Sequence, residues 1–325
     1  MSQDGSPGTE ECRAARVLRS LFHSPTSPSR RATLPGVRRF EVLPLHGDVQ
    51  GTVATSEGRG VAVRVVVTGC SSGIGRATAV ELSRRGHQVV ATARRPESLT
   101  DLDVAERMPL DVDSQSSVDE LFARTGRVDA VVNNAGTGVR GPIEAVPLEE
   151  VQRMFNTNFF GAVRVMQAVL PGMREQGGGT LVNVTSIAAH FSLPLRGFYA
   201  ASKYALQAVT EAARLELGHF GVRVLAVAPG FVESGWVNLD YGLDGPPYDR
   251  LEDIVQQSSA AIDDVNGGAQ KPEMVARVIA DAVESDDRKL VWPAGSDAEM
   301  TIGVREGVDY PKFEAAMREM MQLDW

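Results

Sequence analysis

The sequence predicts an α/β fold, a doubly wound parallel sheet flanked by helices on both faces, and three observations carry that prediction. Apolar β-branched runs alternate with helical stretches from Val61 onward. The first run feeds directly into a glycine turn that opens a helix, Thr68-Gly69-Cys70-Ser71-Ser72-Gly73-Ile74-Gly75. The polar or turn-forming residues Asn134, Ser186 and Pro229-Gly230 all fall just past predicted strands, where open α/β sheets bind their ligands.

Residues 1 to about 60 stand apart, being rich in Ser, Pro, Gly and Arg and lacking apolar periodicity. They are expected to be disordered, or to be a leader that a translation start near Val61 would remove. An organelle-targeting peptide fits less well, because Asp4, Glu10 and Glu11 interrupt its basic character. Residues 61–325 are then one catalytic domain.

Val61-Ala62-Val63-Arg64-Val65-Val66-Val67 is the first strand, suited to burial on both faces of a parallel sheet. The glycine turn follows, with a helix over Arg76 to Arg85. A strand, a glycine turn and a helix in that order make a dinucleotide site, since glycine lets the backbone approach a pyrophosphate and the helix start offers free N–H groups. The second strand, Gln88 to Ala93, ends where many such folds place an acid for the adenosine ribose. Here Ala93 holds that position and Arg94-Arg95 follow, a charge that pairs with a 2′-phosphate and favours NADP over NAD.

A short strand is expected around Met108 to Val112, a helix from Ser114 to Thr125, and a strand from Val128 to Val132 leading into Asn133-Asn134-Ala135-Gly136. The connection from Arg95 to Met108 has room for only a turn or two of helix. A long helix runs from Leu148 to about Gln176, bent at Pro171-Gly172, with Asn156, Asn158 and Gly161 in mid-course. Buried Asn between aromatic residues must either bond backbone or serve a site. Met154, Met166 and Met173 are spaced as core residues. The strand Gly179 to Val184 ends in Thr185-Ser186, and a loop of residues 187–197 that includes His190, read as structural, leads to the next helix.

That helix carries Tyr199 and Lys203, four residues apart and therefore on one face. A cation beside the phenol is expected to lower the tyrosine pKa and make it a proton carrier near neutral pH. The chain has 325 residues but only 5 Tyr and four Lys, so chance alone seldom produces this spacing. Beyond Pro229-Gly230, residues 231–271 form a long segment with Trp236, Tyr241 and Tyr248, expected to act as an irregular lid that sets specificity. A helix over Pro272 to Glu284 and a tail with a helix from about Pro311 to Leu323 complete the chain.

Bulk properties exclude other classes. A net charge of −9 and a pI near 5.2 argue against a nucleic-acid surface. No apolar run nears the eighteen or so residues a membrane span needs. The 2 cysteines, Cys12 and Cys70, offer neither a disulfide framework nor metal-ligand spacing, which points to a reducing, cytoplasmic location and no bound metal.

Taken together, Thr68-Gly69-x3-Gly73-x-Gly75, Asn133-Asn134-Ala135-Gly136, Asn158 within Asn-Phe-Phe-Gly, Ser186, Tyr199-x3-Lys203 and Pro229-Gly230 resemble the short-chain dehydrogenase/reductase family, over Val61 to about Pro293. The run Cys70-Ser71-Ser72-Gly73-Ile74-Gly75 with Arg94 is similar to NADP-preferring hydroxysteroid and retinol dehydrogenase-like branches. The resemblance implies a Rossmann-type sheet and a catalytic set of Tyr199 as general acid/base, Ser186 on the substrate oxygen, Lys203 on the nicotinamide ribose and Asn158 ordering a relay water. It also implies cofactor contacts from Gly69, Ser71, Gly73, Ile74 and Gly75 in the turn, with Arg94, Asp111, Val112 and Asn134 along the adenosine side. Tyr199, Lys203, Pro229, Gly230, Val232 and Ser234 lie along the nicotinamide side, Ser234 standing where the family often has Thr. The implied activity is hydride transfer between NADP(H) and a small-molecule alcohol or carbonyl substrate, in a homo-oligomer whose packing the tail can alter. The competing expectation is a noncatalytic NADP-binding sensor on the same fold.

Overall fold

The computed structural model describes residues 62–233, 238–243, 245–265 and 270–324. The expected leader, residues 1–60, lies outside them. Seven strands form one parallel sheet: β1 (Arg64–Val67), β2 (Gln88–Ala93), β3 (Glu106–Pro109), β4 (Ala130–Asn133), β6 (Gly179–Val184), β7 (Val222–Pro229) and β9 (Val291–Ala294), in spatial order β3-β2-β1-β4-β6-β7-β9. Two three-residue strands, β5 (Gly138–Arg140) and β8 (Asn238–Asp240), pair separately.

The β-branched run predicts burial on both faces, and Val65, Val66 and Val67 are completely buried. Alternation sends Val65 and Val67 to one side and Val66 to the other. On the first side they meet α1 (Gly73–Arg84) and α7 (Pro272–Glu284), through Ala79, Leu82, Val275 and Ile279. On the second they meet α2 (Gln115–Thr125) and α4 (Ala162–Glu175), through Val118, Leu121, Val165 and Val169, and α5 (Gly197–Leu217) adds Ala213. Each fully buried Val contributes about 1.5–3 kcal/mol relative to exposure. Met154, Met166 and Met173 are buried in the core as expected.

Several element boundaries differ from the sequence expectation. Helix α1 begins at Gly73 rather than Arg76, so two of the glycines lie inside its first turn. Strand β3 sits at Glu106–Pro109, earlier than Met108 to Val112, because it takes its register from β2. The long helix runs through Pro171 without ending. Its departure from α geometry falls instead at a π turn, Asn156–Gly161, between α3 (Leu148–Phe155) and α4. Segment 231–271 is not irregular throughout, since it contains β8 and α6 (Asp249–Val265), an amphipathic helix. The tail adds β9, α8 (Ser296–Gly307) and α9 (Tyr310–Met320), of which only the last is expected from sequence.

These elements define where a ligand can sit. Strand order reverses direction on either side of β1 and β4, so the loops after those strands diverge and leave a crevice at their carboxyl ends.

Candidate active site

The glycine turn shapes the first half of the crevice. Gly69 has φ +75, and a Cβ there would lie 2.9 Å from Ala135 Cα. A Cβ on Gly75 would lie 2.3 Å from both Asn134 Nδ2 and Gly69 O. The close approach is locked by hydrogen bonds: Asn134 Nδ2 donates to Thr68 O at 2.9 Å, and the backbone N–H groups of Asn134 and Ala135 both donate to Thr68 Oγ1 at 3.0 Å. Asn134 thus binds the two loops together. Around them opens a cavity of about 370 Å³, lined by Gly69, Ser71, Gly73, Ile74, Arg94, Asp111, Val112 and Asn134. Gly161 lets the Val112 wall close, since a Cβ there would meet Val112 Cγ2 at 2.8 Å.

The second half is a cavity of about 290 Å³ that shares Ile74 and Asn134 with the first, so the two adjoin. Tyr199, Lys203, Ser186, Pro229, Gly230 and Val232 line it together with Ile187, Phe191, Leu193, Phe231 and Arg196. The continuous cleft, the residues cleared of side chains at its glycines, and a cation at the far end fit an extended dinucleotide. Gly75 lies in the turn without lining either cavity, and Ser234 lies outside the described residues.

Tyr199 and Lys203 share a face of α5 as their spacing predicts, with Lys203 Nζ 5.9 Å from the centre of the Tyr199 ring. The ammonium donates to the Val184 carbonyl at 2.9 Å. Burial pushes Lys203 down to about 8. The expected depression of the tyrosine by this lysine is not what the structure shows: burial raises the Tyr199 pKa, and the opposing influences are a hydrogen bond with Ser186 and the charge of Arg196. Desolvation of a phenolate outweighs both. Ser186 reaches Tyr199 from the end of β6, where its Oγ also accepts the Ala188 N–H at 3.1 Å.

Asn158 is almost fully buried and lines neither cavity. Its Oδ1 accepts the Thr137 N–H at 2.8 Å, and its Nδ2 donates to Thr137 O at 2.9 Å and to Ser202 Oγ at 3.0 Å. Its side chain thus ties the Thr137 backbone to the Ser202 hydroxyl on α5. His190 is outside the cavity lining, and burial lowers its pKa. Cys70 is buried, its thiol pushed up to about 12.

Arg196 is a charged cavity residue that the sequence motifs do not single out. It stands three residues before Tyr199 at the start of α5, half-buried, and burial lowers its pKa together with the like charge of Arg140. Its i, i+3 spacing from Tyr199 is the signal that points to it.

The profile described as short chain dehydrogenase matches residues 63–239. The chain is 38% identical over 178 residues to 3-ketodihydrosphingosine reductase of Bacteroides thetaiotaomicron, covering 54% of this chain and 65% of that protein. It is 41% identical over 182 residues to human retinol dehydrogenase 8, covering 51% and 58%. The match therefore spans somewhat less than two thirds of either relative. A short-chain dehydrogenase structure from Streptomyces avermitilis superimposes with TM-score 0.70 at 30% identity, covering 82% of this chain and 99% of that one.

Proposed function

The chain belongs to the short-chain dehydrogenase family, oxidoreductases that act on alcohol and carbonyl groups, and from that premise we propose that it reduces a hydrophobic ketone or aldehyde with NADPH. The observation that carries the reading is the placement of Tyr199 and Ser186 in a largely apolar cavity that opens onto the glycine-turn cleft. The relatives' names, a reductase of 3-ketodihydrosphingosine and a retinol dehydrogenase, support an apolar substrate.

Gly69, Gly73 and the N-terminus of α1 would receive the pyrophosphate, Asp111 and Val112 the adenine side, and Arg94 the 2′-phosphate. Lys203 and the Pro229-Gly230 turn would hold the nicotinamide end, where the cofactor supplies the hydride. Tyr199 delivers the proton. Burial keeps its hydroxyl protonated at neutral pH, the state needed to donate to a carbonyl oxygen as negative charge develops there. Ser186 offers a second hydroxyl to that oxygen, and its bond to Tyr199 fixes both in one place.

The test is NADPH oxidation against a panel of apolar ketones and aldehydes. Replacing Tyr199→Phe should lower turnover by about 10²–10⁴-fold and leave NADPH affinity intact. Retained turnover would overturn the role given to Tyr199, and NADPH binding without turnover on any carbonyl would favour the noncatalytic sensor.

A further inference from the structure

The far wall of the apolar cavity is the turn Gly230-Phe231-Val232, directly after β7. Its hydrogen bonds lead to the tail and to the far end of the 231–271 segment. Gly230 N–H donates to Ala294 O at 3.1 Å, and Glu233 N–H donates to Gln270 O at 2.7 Å, with Val232 bridged to Gln270. Between these two attachments lies Asp297, in the first turn of α8 and only 2% exposed. Its Oδ2 accepts the Phe231 N–H at 2.7 Å, and its Oδ1 accepts Gln270 Nε2 at 2.7 Å.

The fit around this carboxylate is tight. A Cβ on Gly230 would lie 2.2 Å from both Asp297 oxygens, and a Cβ on Gly295, whose φ is +115, would lie 2.1 Å from Gln270 Oε1. Gln270 keeps its amide nitrogen toward Asp297 although its Oε1 is thereby buried without a hydrogen-bond partner. The next residue, Ala298, is fully buried with Ile187 and Phe191, two other cavity residues, and with Phe313 of α9. The carboxylate is therefore fixed to the body of the protein from behind, while in front it grips the first and last residues of the 231–270 segment.

We propose that Asp297 is a positioning residue for the reaction: with Gln270 it sets the Gly230–Val232 turn against which the nicotinamide end of the cofactor and the substrate are held. This rests on the NADPH-dependent reading above. A buried carboxylate accepting two hydrogen bonds is costly to displace, because each donor it serves would be left unpaired. The turn is thereby tied to Asp297 and Ala294 of the tail and to Gln270.

The experiment compares two ligands on wild type and Asp297→Ala, which removes both acceptors. NADPH spans both halves of the cleft, whereas 2′,5′-ADP occupies only the adenosine half. Asp297→Ala should raise the Kd for NADPH roughly tenfold, and KM for the carbonyl substrate with it, while the Kd for 2′,5′-ADP stays unchanged. Gln270→Leu, which deletes the other partner, should give the same split and serves if the first variant does not fold. Equal loss of both ligands, or loss of neither, in a folded variant overturns the proposal. Wild-type protein that binds neither ligand refutes instead the NADPH reading on which it rests.

Discussion

Lys203→Met is expected to make the protein more stable at neutral pH while removing its activity. The ammonium sits in a nearly fully buried position, and burial moves its pKa from 10.5 to about 8. A tenfold change in proton affinity corresponds to about 1.4 kcal/mol, so keeping the charge there costs about 3 kcal/mol. The bond to the Val184 carbonyl opposes the gain, because Met leaves that acceptor unpaired, a loss of about 1–2 kcal/mol. The variant should therefore be about 1–2 kcal/mol more stable near pH 7. The sign with pH follows from the lowered pKa. The unfolded chain holds its proton up to pH 10.5 and the folded one only to about 8, so the penalty is fully present below pH 8 and is relieved between 8 and 10.5. Urea unfolding of both proteins near pH 7 and near pH 10 checks this, and the variant's advantage should disappear at the higher pH. A variant that is less stable at pH 7, or whose difference from wild type is the same at both pH values, would refute the argument. Such a residue, destabilising where it stands, is what a stability–activity trade-off looks like at one side chain.

Two further expectations concern the cleft. Gly75→Ala places a methyl 2.3 Å from Asn134 Nδ2 and from a backbone oxygen, so it should destabilise the protein by about 1–3 kcal/mol and weaken NADPH binding; unfolding and titration read the two effects, and unchanged values would show that the loops are not closely apposed. Arg94→Ala should weaken NADPH binding by roughly tenfold or more and leave NADH affinity unchanged, and equal affinities for the two cofactors in wild type would remove the 2′-phosphate argument.

What the sequence determined by itself was local chemistry. The β-branched run ending in Val65-Val66-Val67 predicts a doubly buried strand, although the strand starts at Arg64 and not at residue 61. The glycine turn announces the dinucleotide cleft because only glycine lets the Gly75 backbone lie against the Gly69 carbonyl and the Asn134 side chain. Tyr199 and Lys203 share a face because four residues make about one helical turn. Three matters waited for the fold. The direction in which the Tyr199 pKa moves depends on how much protein surrounds the ring, and spacing along a helix says nothing about desolvation. Asn158 bonds the Thr137 backbone and the Ser202 hydroxyl, partners that only the folded chain brings to it. Asp297 carries no local signal at all: its partners Phe231 and Gln270 are 66 and 27 residues away, and a buried carboxylate is recognisable only once the donors that satisfy it have been brought together.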